Sequence, residues 1–229
     1  MIEVIELSKR YRRQVLKSVT FKVEKGQIAC LAGLNGSGKS TVLKAIMGLV
    51  PADGGEVRID GQPISRSVRA KVSFIPDHLT MPVSLRMSEA LQFMSDFYRD
   101  GWNGGRAEEL MRFFRLDASE RIANLSKGTA AKFNLVLGLA QNTDYVLMDE
   151  PFSGIDLFSR EMIADVFSSE LVENRGVLVT THEIGEMEHL IDKVLLLKDG
   201  IIAKEFYCEQ TRLEQGMSIV DVMREVYRE

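Results

Sequence analysis

Gly33-Leu34-Asn35-Gly36-Ser37-Gly38-Lys39-Ser40-Thr41 is the stretch from which the fold follows. It fits the phosphate-loop pattern G-x-x-x-x-G-K-[ST] and lies between segments of opposite character. Ahead of it, Ile28-Ala29-Cys30-Leu31-Ala32 is a continuous apolar run, as expected of a strand buried on both faces. Behind it, residues from about Ser40 to Leu49 have the pattern of a helix that stops before Pro51. Strand, glycine-rich bend and helix together make a cradle for a polyphosphate. The glycines let the backbone curl so that successive N–H groups point inward. The helix adds the positive end of its dipole. Gly33, Asn35, Gly36, Ser37, Gly38, Lys39, Ser40 and Thr41 are therefore the expected nucleotide-binding residues. Lys39 offers a point charge to the β- and γ-phosphates, and Ser40 a hydroxyl to Mg²⁺. By itself the loop implies a nucleoside triphosphatase and nothing narrower.

Upstream of the loop the residues read as strands. Val4 to Leu7, Ser18 to Val23 and Glu56 to Asp60 alternate apolar and polar residues between turns such as Lys25-Gly26 and Gly54-Gly55. Val72 to Ile75 is a further strand, ended by Pro76. From about Leu79 to Asn142 the pattern turns helical, with Ser88 to Tyr98, Arg106 to Phe114 and Ser126 to Ala140 carrying helical spacing. Alternation then returns. Strands are predicted at Tyr145 to Met148 and Gly176 to Thr180, and helices at Ser159 to Glu173 and Ile184 to Leu190. Lys193 to Leu197 and Ile201 to Phe206 form a hairpin around Asp199-Gly200, and Met217 to Tyr227 a C-terminal helix. The fold class predicted is α/β. It comprises a P-loop core with a parallel sheet, an N-terminal antiparallel β subdomain and an inserted α-helical subdomain. The boundaries expected within this single domain are a core of 1–78 and 143–206, a helical insertion of about 79–142 and a tail of 207–229.

Tyr145-Val146-Leu147-Met148-Asp149-Glu150 is an apolar strand ending in two acids. The carboxyl ends of strands are where ligands bind in open α/β sheets. Asp149 can reach the Mg²⁺ shell, which leaves Glu150 to orient and polarise the attacking water. Two acids at a strand end mean little alone. The phosphate loop upstream gives them their chemistry.

With these motifs in place, the chain resembles the nucleotide-binding domain of the ABC transporter family over nearly its whole length. The run from Leu147 to Asp156 resembles that family's Walker B strand followed by its D-loop. His182, in Thr180-Thr181-His182-Glu183, matches the switch histidine. Leu125-Ser126-Lys127-Gly128-Thr129 stands where the signature LSGGQ belongs, at the start of a helix. Tyr11 matches the aromatic that stacks on adenine, and Phe74-Ile75-Pro76-Asp77-His78 stands at the Q-loop. The resemblance implies a mechanism. Two such domains pair head to tail, as a homodimer or a heterodimer, and trap two MgATP. Each nucleotide lies between one P-loop and the other chain's signature helix. Ser126 and Gly128 would then face the γ-phosphate in trans. His182, Glu150 and Lys39 would form the catalytic set. Asp77 would join Ser40 and Asp149 at the metal, and Asp156 would work across the dimer interface. ATP and Mg²⁺ are the implied cofactors, and a separate integral-membrane permease, by resemblance that of an exporter, is the implied partner. Leu79, Met81, Val83, Leu85, Phe93, Met94 and Phe97 could line a groove for one of its helices.

Two positions depart from the family pattern. Asp77 replaces the Q-loop glutamine, and an ionised carboxylate only accepts hydrogen bonds. Lys127 replaces the signature's first glycine, and Thr129 its glutamine. One reading is that Lys127 of one chain offsets Asp77 of the other; the other is drift at two tolerant positions.

Composition narrows the alternatives. The chain has 229 residues, 45% of them hydrophobic and 27% charged, enough to bury a core. Acidic residues outnumber basic ones 33 to 29, giving a net charge of -4. No nucleic-acid partner is expected of such a balance, and the cluster Lys9, Arg10, Arg12 and Arg13 reads as a solvent-facing hairpin. A soluble relative acting on nucleic acid or ribosomes is the alternative. Coiled-coil insertions, zinc cysteines or tandem ATPase halves would mark it, and none is in the sequence. A kinase acceptor site or a guanine-reading motif is likewise missing. Cys30 and Cys208 make no disulfide framework. No signal-peptide pattern opens the sequence, and no apolar run approaches the ~18 residues of a membrane span. The expectation is a cytoplasmic chain, peripheral on the membrane through its partner.

Overall fold

The computed structural model describes residues 1–168, 172, 174–182, 184 and 188–228. In chain order, β1 (Ile2–Arg10) and β2 (Gln14–Val23) form a hairpin, β3 (Ile28–Ala32) leads into the phosphate loop, and α1 (Lys39–Ile46) leaves it. Next come β4 (Gly54–Ile59), β5 (Gln62–Pro63), the single turn α2 (Arg66–Arg69) and β6 (Val72–Ile75). Three helices follow, α3 (Met87–Tyr98), α4 (Gly104–Phe113) and α5 (Lys127–Leu139). The chain re-enters the sheet with β7 (Tyr145–Asp149), α6 (Leu157–Phe167), β8 (Gly176–Thr181), β9 (Lys193–Lys198) and β10 (Ile201–Tyr207). It closes with α7 (Cys208–Gln215) and α8 (Ile219–Arg228).

Among the described residues the strands form two sheets. One is antiparallel, in the order β2-β1-β4-β5; the other has six strands in the order β10-β9-β3-β8-β7-β6, parallel except for β10. Side-chain alternation explains how the large sheet is covered. Ala29, Leu31, Tyr145, Leu147, Leu195 and Leu197 point to one face, where they meet α1 and the antiparallel sheet. Cys30, Ala32, Val146, Met148, Val194 and Leu196 point to the other, where they join the helical segments. Both faces are dry, so these strands are unbroken apolar runs. That second core runs without interruption from the sheet through α3, α4 and α5 to α8.

Local chemistry sets the helix ends. The Ser126 hydroxyl accepts the Thr129 N–H at 3.1 Å to cap α5, and the Asp156 carboxylate accepts the Ser159 N–H at 3.0 Å to cap α6. Gly138 of α5 lies against Ile75 of β6 so closely that a Cβ would fall 2.2 Å from Ile75 Cγ1.

Several elements differ from the sequence reading. β1 extends further at both ends and β2 at its start, because the hairpin keeps pairing through bulges toward its turn. The α6 helix starts at Leu157 and ends at Phe167; residues 169–171 and 173 of the predicted helix to Glu173 lie outside the described residues. Of the helix predicted from Ile184 to Leu190, positions 185–187 lie outside them too, and Glu188–Leu190 is a single 3-10 turn. The tail holds two helices where one was expected. In the basic cluster, Lys9 is buried and paired with Asp53 at 3.1 Å, while Arg10, Arg12 and Arg13 are exposed. Both cysteines are free and buried.

Candidate nucleotide site

Residues 33–38 bend back over the carboxyl end of β3. Gly36 and Gly38 take φ values of 79° and 111°, which side chains with a Cβ resist. A Cβ on Gly33 would lie 2.7 Å from the Leu197 carbonyl oxygen, so the loop can start this close to β9 only with glycine there. Among the described residues no side chain caps the first turn of α1. Its N–H groups and positive dipole end are thus left for an anion. The Ser37 hydroxyl is buried and has no partner among the described residues, an unmet polar group inside the loop.

Lys39 is 6% exposed. Its ammonium donates to the Gly33 carbonyl at 2.8 Å and stands 3.2 Å from Glu150 Oε1. The other Glu150 oxygen lies 2.7 Å from His182 Nδ1. Asp149 is buried at the end of β7 and accepts from the Ser40 hydroxyl at 3.0 Å and the Thr180 hydroxyl at 2.7 Å. Glu150 has a φ of 47°, and its N–H donates to the Thr180 carbonyl and hydroxyl, each at 3.0 Å. That fixed, left-handed turn swings the second acid out of the strand and toward Lys39.

Lys39, Ser40, Thr41, Glu150, Asp77 and His182 therefore line one cleft of about 470 Å³, with Asn35, Gly36 and Gly38 completing its loop side. The Asp77 carboxylate sits at the rim, 2.6 Å from His78 Nδ1. Tyr11 stands apart from this lining. It is exposed in the β1–β2 turn, with the Lys9 ammonium 5.4 Å from its ring centroid.

Ser126, Gly128 and Asp156 form a second group. Gly128 is buried where α5 meets the start of α6, and a Cβ there would fall 2.7 Å from Ser159 Oγ and 2.9 Å from Asp156 Oδ2. The Asp156 carboxyl is held below the usual carboxylate range by hydrogen bonds from the Ser159 hydroxyl and N–H. Asp77 and Lys127 of the same chain line one groove, together with Pro151 and Ser153.

Sequence reading missed Thr180 as a site residue, although the parallel register sets it opposite Asp149. It also missed Val15 and Ser153, which line the cleft, and Asn134, whose amide donates to the Pro76 carbonyl at 2.7 Å beside Asp77. For Thr180 the available signal was a second strand-end polar residue after a buried run.

Comparison with known proteins places the fold in a family. The ABC transporter family model matches residues 16–153. The zinc transport system ATP-binding protein TroB of Treponema pallidum is 31% identical over 89% of this chain and 80% of its own length. The SkfA peptide export ATP-binding protein SkfE of Bacillus subtilis is 27% identical over 92% and 90%. A solved ATP-binding subunit of an ABC transporter superposes with a TM-score of 0.87 at 28% identity, covering 99% of both chains. The dimeric ATP-binding cassette MJ0796, in a post-hydrolysis state with ADP and Pi, superposes at 0.80 with 25% identity, covering 90% of this chain and 98% of that one. The chain belongs to the ABC transporter family. It is an ATP-binding and ATP-hydrolysing subunit of that family.

Proposed function

We propose that this chain hydrolyses MgATP in a head-to-tail dimer and thereby drives a separate integral-membrane permease, in the direction of export. The observation that carries the reading is the convergence of Lys39, Ser40 and Glu150 on one cleft, with the buried Asp149 bonded to Ser40, at a helix N-terminus that no side chain among the described residues caps. The donor set fits Mg²⁺: the Ser40 hydroxyl and Asp149 carboxylate are hard oxygens 3.0 Å apart. Mg²⁺ in such sites takes few protein ligands and completes its shell with phosphate and water. Among the described residues no cluster of three His, Cys, Asp or Glu side chains could cage a metal. Bound there, the ion would neutralise charge on the phosphates.

In this reading the N–H groups of the loop hold the phosphates, and Lys39 leaves Glu150 to pair with them. Glu150, released, orients the attacking water, and His182 holds the carboxylate and faces the γ-phosphate. Tyr11 stacks on adenine. Ser126 and Gly128 of the partner copy close the site, with Asp156 at the interface and Asp77 at the metal-facing rim. The divisions 1–78 with 143–206, about 79–142 and 207–229 remain our proposal for core, helical insertion and tail.

For the permease, support comes from a groove of about 300 Å³ between the β6 end, α3 and α5. Met81, Phe93, Phe97 and Tyr98 line it, and Phe93 and Phe97 are more than half exposed. An amphipathic helix would cover this patch. Among the described residues no helix is long and apolar enough to cross a membrane. Export follows the peptide-export and Nod-factor-export names among the relatives, and the cytoplasmic membrane face is the place this assigns. The nucleic-acid alternative gains nothing from the acidic balance.

A Glu150→Gln chain tests the reading. It should accumulate a MgATP-bound dimer on size exclusion, one that ADP does not induce. Normal hydrolysis by that variant would remove Glu150 from its role. Copurification with ribosomes or DNA, in place of an integral-membrane protein, would remove the permease.

A further inference from the structure

A cleft of about 580 Å³ lies between α3 and α4, away from the phosphate loop and from the groove at the β6 end. Ser88, Leu91, Gln92 and Ser95 form one stripe of α3, at the spacing that shares a helix face. Ala107, Glu108, Met111 and Arg112 form the stripe of α4 that lines the other wall. Ser88, Ser95, Gly104 and Ala107 are too short to fill the space between the helices. The floor is apolar, built from Leu91, Trp102, Met111 and Leu116, all buried or half-buried. The rim is cationic. Arg112 and Arg115 are exposed, neither has an ion-pair partner among the described residues, and Glu108 is the one acid in the lining.

Basic residues near the end of a helix also complement its dipole. That role accounts for Arg112 and leaves the open apolar floor unexplained. Volumes of about 300–1,000 Å³ with an apolar lining and a few placed polar groups are those of small-molecule sites. We propose that this cleft binds a small amphipathic monoanion. Its apolar body rests on Leu91, Trp102, Met111 and Leu116, and its carboxylate, or a like group, pairs with Arg112 and Arg115. Guanidinium groups favour such planar anions through paired hydrogen bonds. A neutral amphiphile of equal length gains the floor alone, and a cationic one meets like charge.

Trp102 is the single tryptophan of the chain, so its emission reports occupancy without a label. Decanoate, titrated below micelle formation, should shift that emission saturably to shorter wavelength. Decanol should bind about tenfold more weakly, and decyltrimethylammonium should give no saturable shift. The double variant Arg112→Gln/Arg115→Gln should lose about tenfold in decanoate affinity with decanol binding unchanged. Both substitutions are at exposed positions, and circular dichroism checks the fold. Lys39→Ala should leave decanoate binding intact, which separates this site from the nucleotide reading. A flat titration would overturn the proposal. So would equal binding of the three amphiphiles, or decanoate binding indifferent to the two arginines.

Discussion

Replacing Thr180 with valine removes one hydroxyl from the middle of the nucleotide site and changes little else. Thr180 is fully buried on β8. Its Oγ1 donates to Asp149 Oδ1 at 2.7 Å and accepts the Glu150 N–H at 3.0 Å. Valine fills the same volume, so no cavity opens. The loss is a hydrogen bond to a carboxylate, about 1.5–3 kcal/mol. The Glu150 N–H keeps the Thr180 carbonyl at 3.0 Å, so its share of the loss is small. A melting midpoint moves about 2–4 °C per kcal/mol in a chain of this size, so the nucleotide-free protein should melt roughly 3–12 °C lower. Asp149 is left with the Ser40 hydroxyl as its remaining side-chain donor among the described residues. If the same energy is missing when the metal site is assembled for hydrolysis, kcat falls roughly 10- to 150-fold. Scanning fluorimetry and steady-state ATPase assays read the two effects, and Thr180→Ser, which keeps the hydroxyl, should stay near wild type. A valine variant with wild-type melting and turnover would refute the claim that Thr180 positions the acids.

Gly138→Ala should destabilise the protein by about 1–2 kcal/mol in urea, because overpacking outweighs the better helix propensity of alanine; its Cβ would sit 2.2 Å from Ile75 Cγ1. An unchanged unfolding midpoint would show that α5 and β6 have room to part. Asp60 gives a pH test. Burial opposes its ionisation, but hydrogen bonds from Lys71 at 2.8 Å and Tyr145 at 2.6 Å outweigh it and hold the carboxyl far below the ordinary range. A depressed folded-state pKa contributes stability above the unfolded value, about 3.9, and loses it as pH falls further. Wild type should therefore exceed Asp60→Asn in stability at pH 7, with the gap narrowing below about pH 4; a gap independent of pH would contradict this. Exchanging the charges of Asp77 and Lys127 should give an ATPase faster than the worse single variant, whether they pair across the dimer or along the groove they share within one chain. A double variant no better than that single would end the pairing idea.

What the sequence made legible is what the backbone demands locally. The phosphate loop needs glycine at Gly36 and Gly38 because of their positive φ, and that demand is written in the residue names. Asp149 and Glu150 were legible because they end a buried strand in a chain that already carries a phosphate loop, and Ser126 because a cap announces the start of α5. Thr180 was not, since its partner is 31 residues away and meets it only through the lateral register of β7 and β8. Gly128 reads as a signature residue, yet its lack of a Cβ is also required within its own chain by Ser159 and Asp156. The α7 helix escaped notice because Cys208–Gln215 is mostly polar and carries no apolar stripe to count. The strand order was equally silent. It places β3 between β8 and β9, which both lie far along the chain in its last third, and only the apolar character of all three strands hinted that they share an interior.

The contacts inside the candidate site show how its buried charged groups are stabilised without a nucleotide. Lys39 and Glu150 are 6% and 15% exposed at the side chain, and a charge taken that far from water needs a partner. Here the two pair with each other at 3.2 Å, and His182 satisfies the other carboxylate oxygen at 2.7 Å. On the proposed reading, a polyphosphate entering the loop would bring its own negative charge and compete with Glu150 for the same ammonium. The carboxylate would then be freed when a γ-phosphate is present for water to attack. An arrangement of this kind would keep Glu150 paired without substrate and release it with substrate. The Thr180 hydroxyl and carbonyl hold its backbone N–H throughout, so the side chain can turn while the strand end stays fixed.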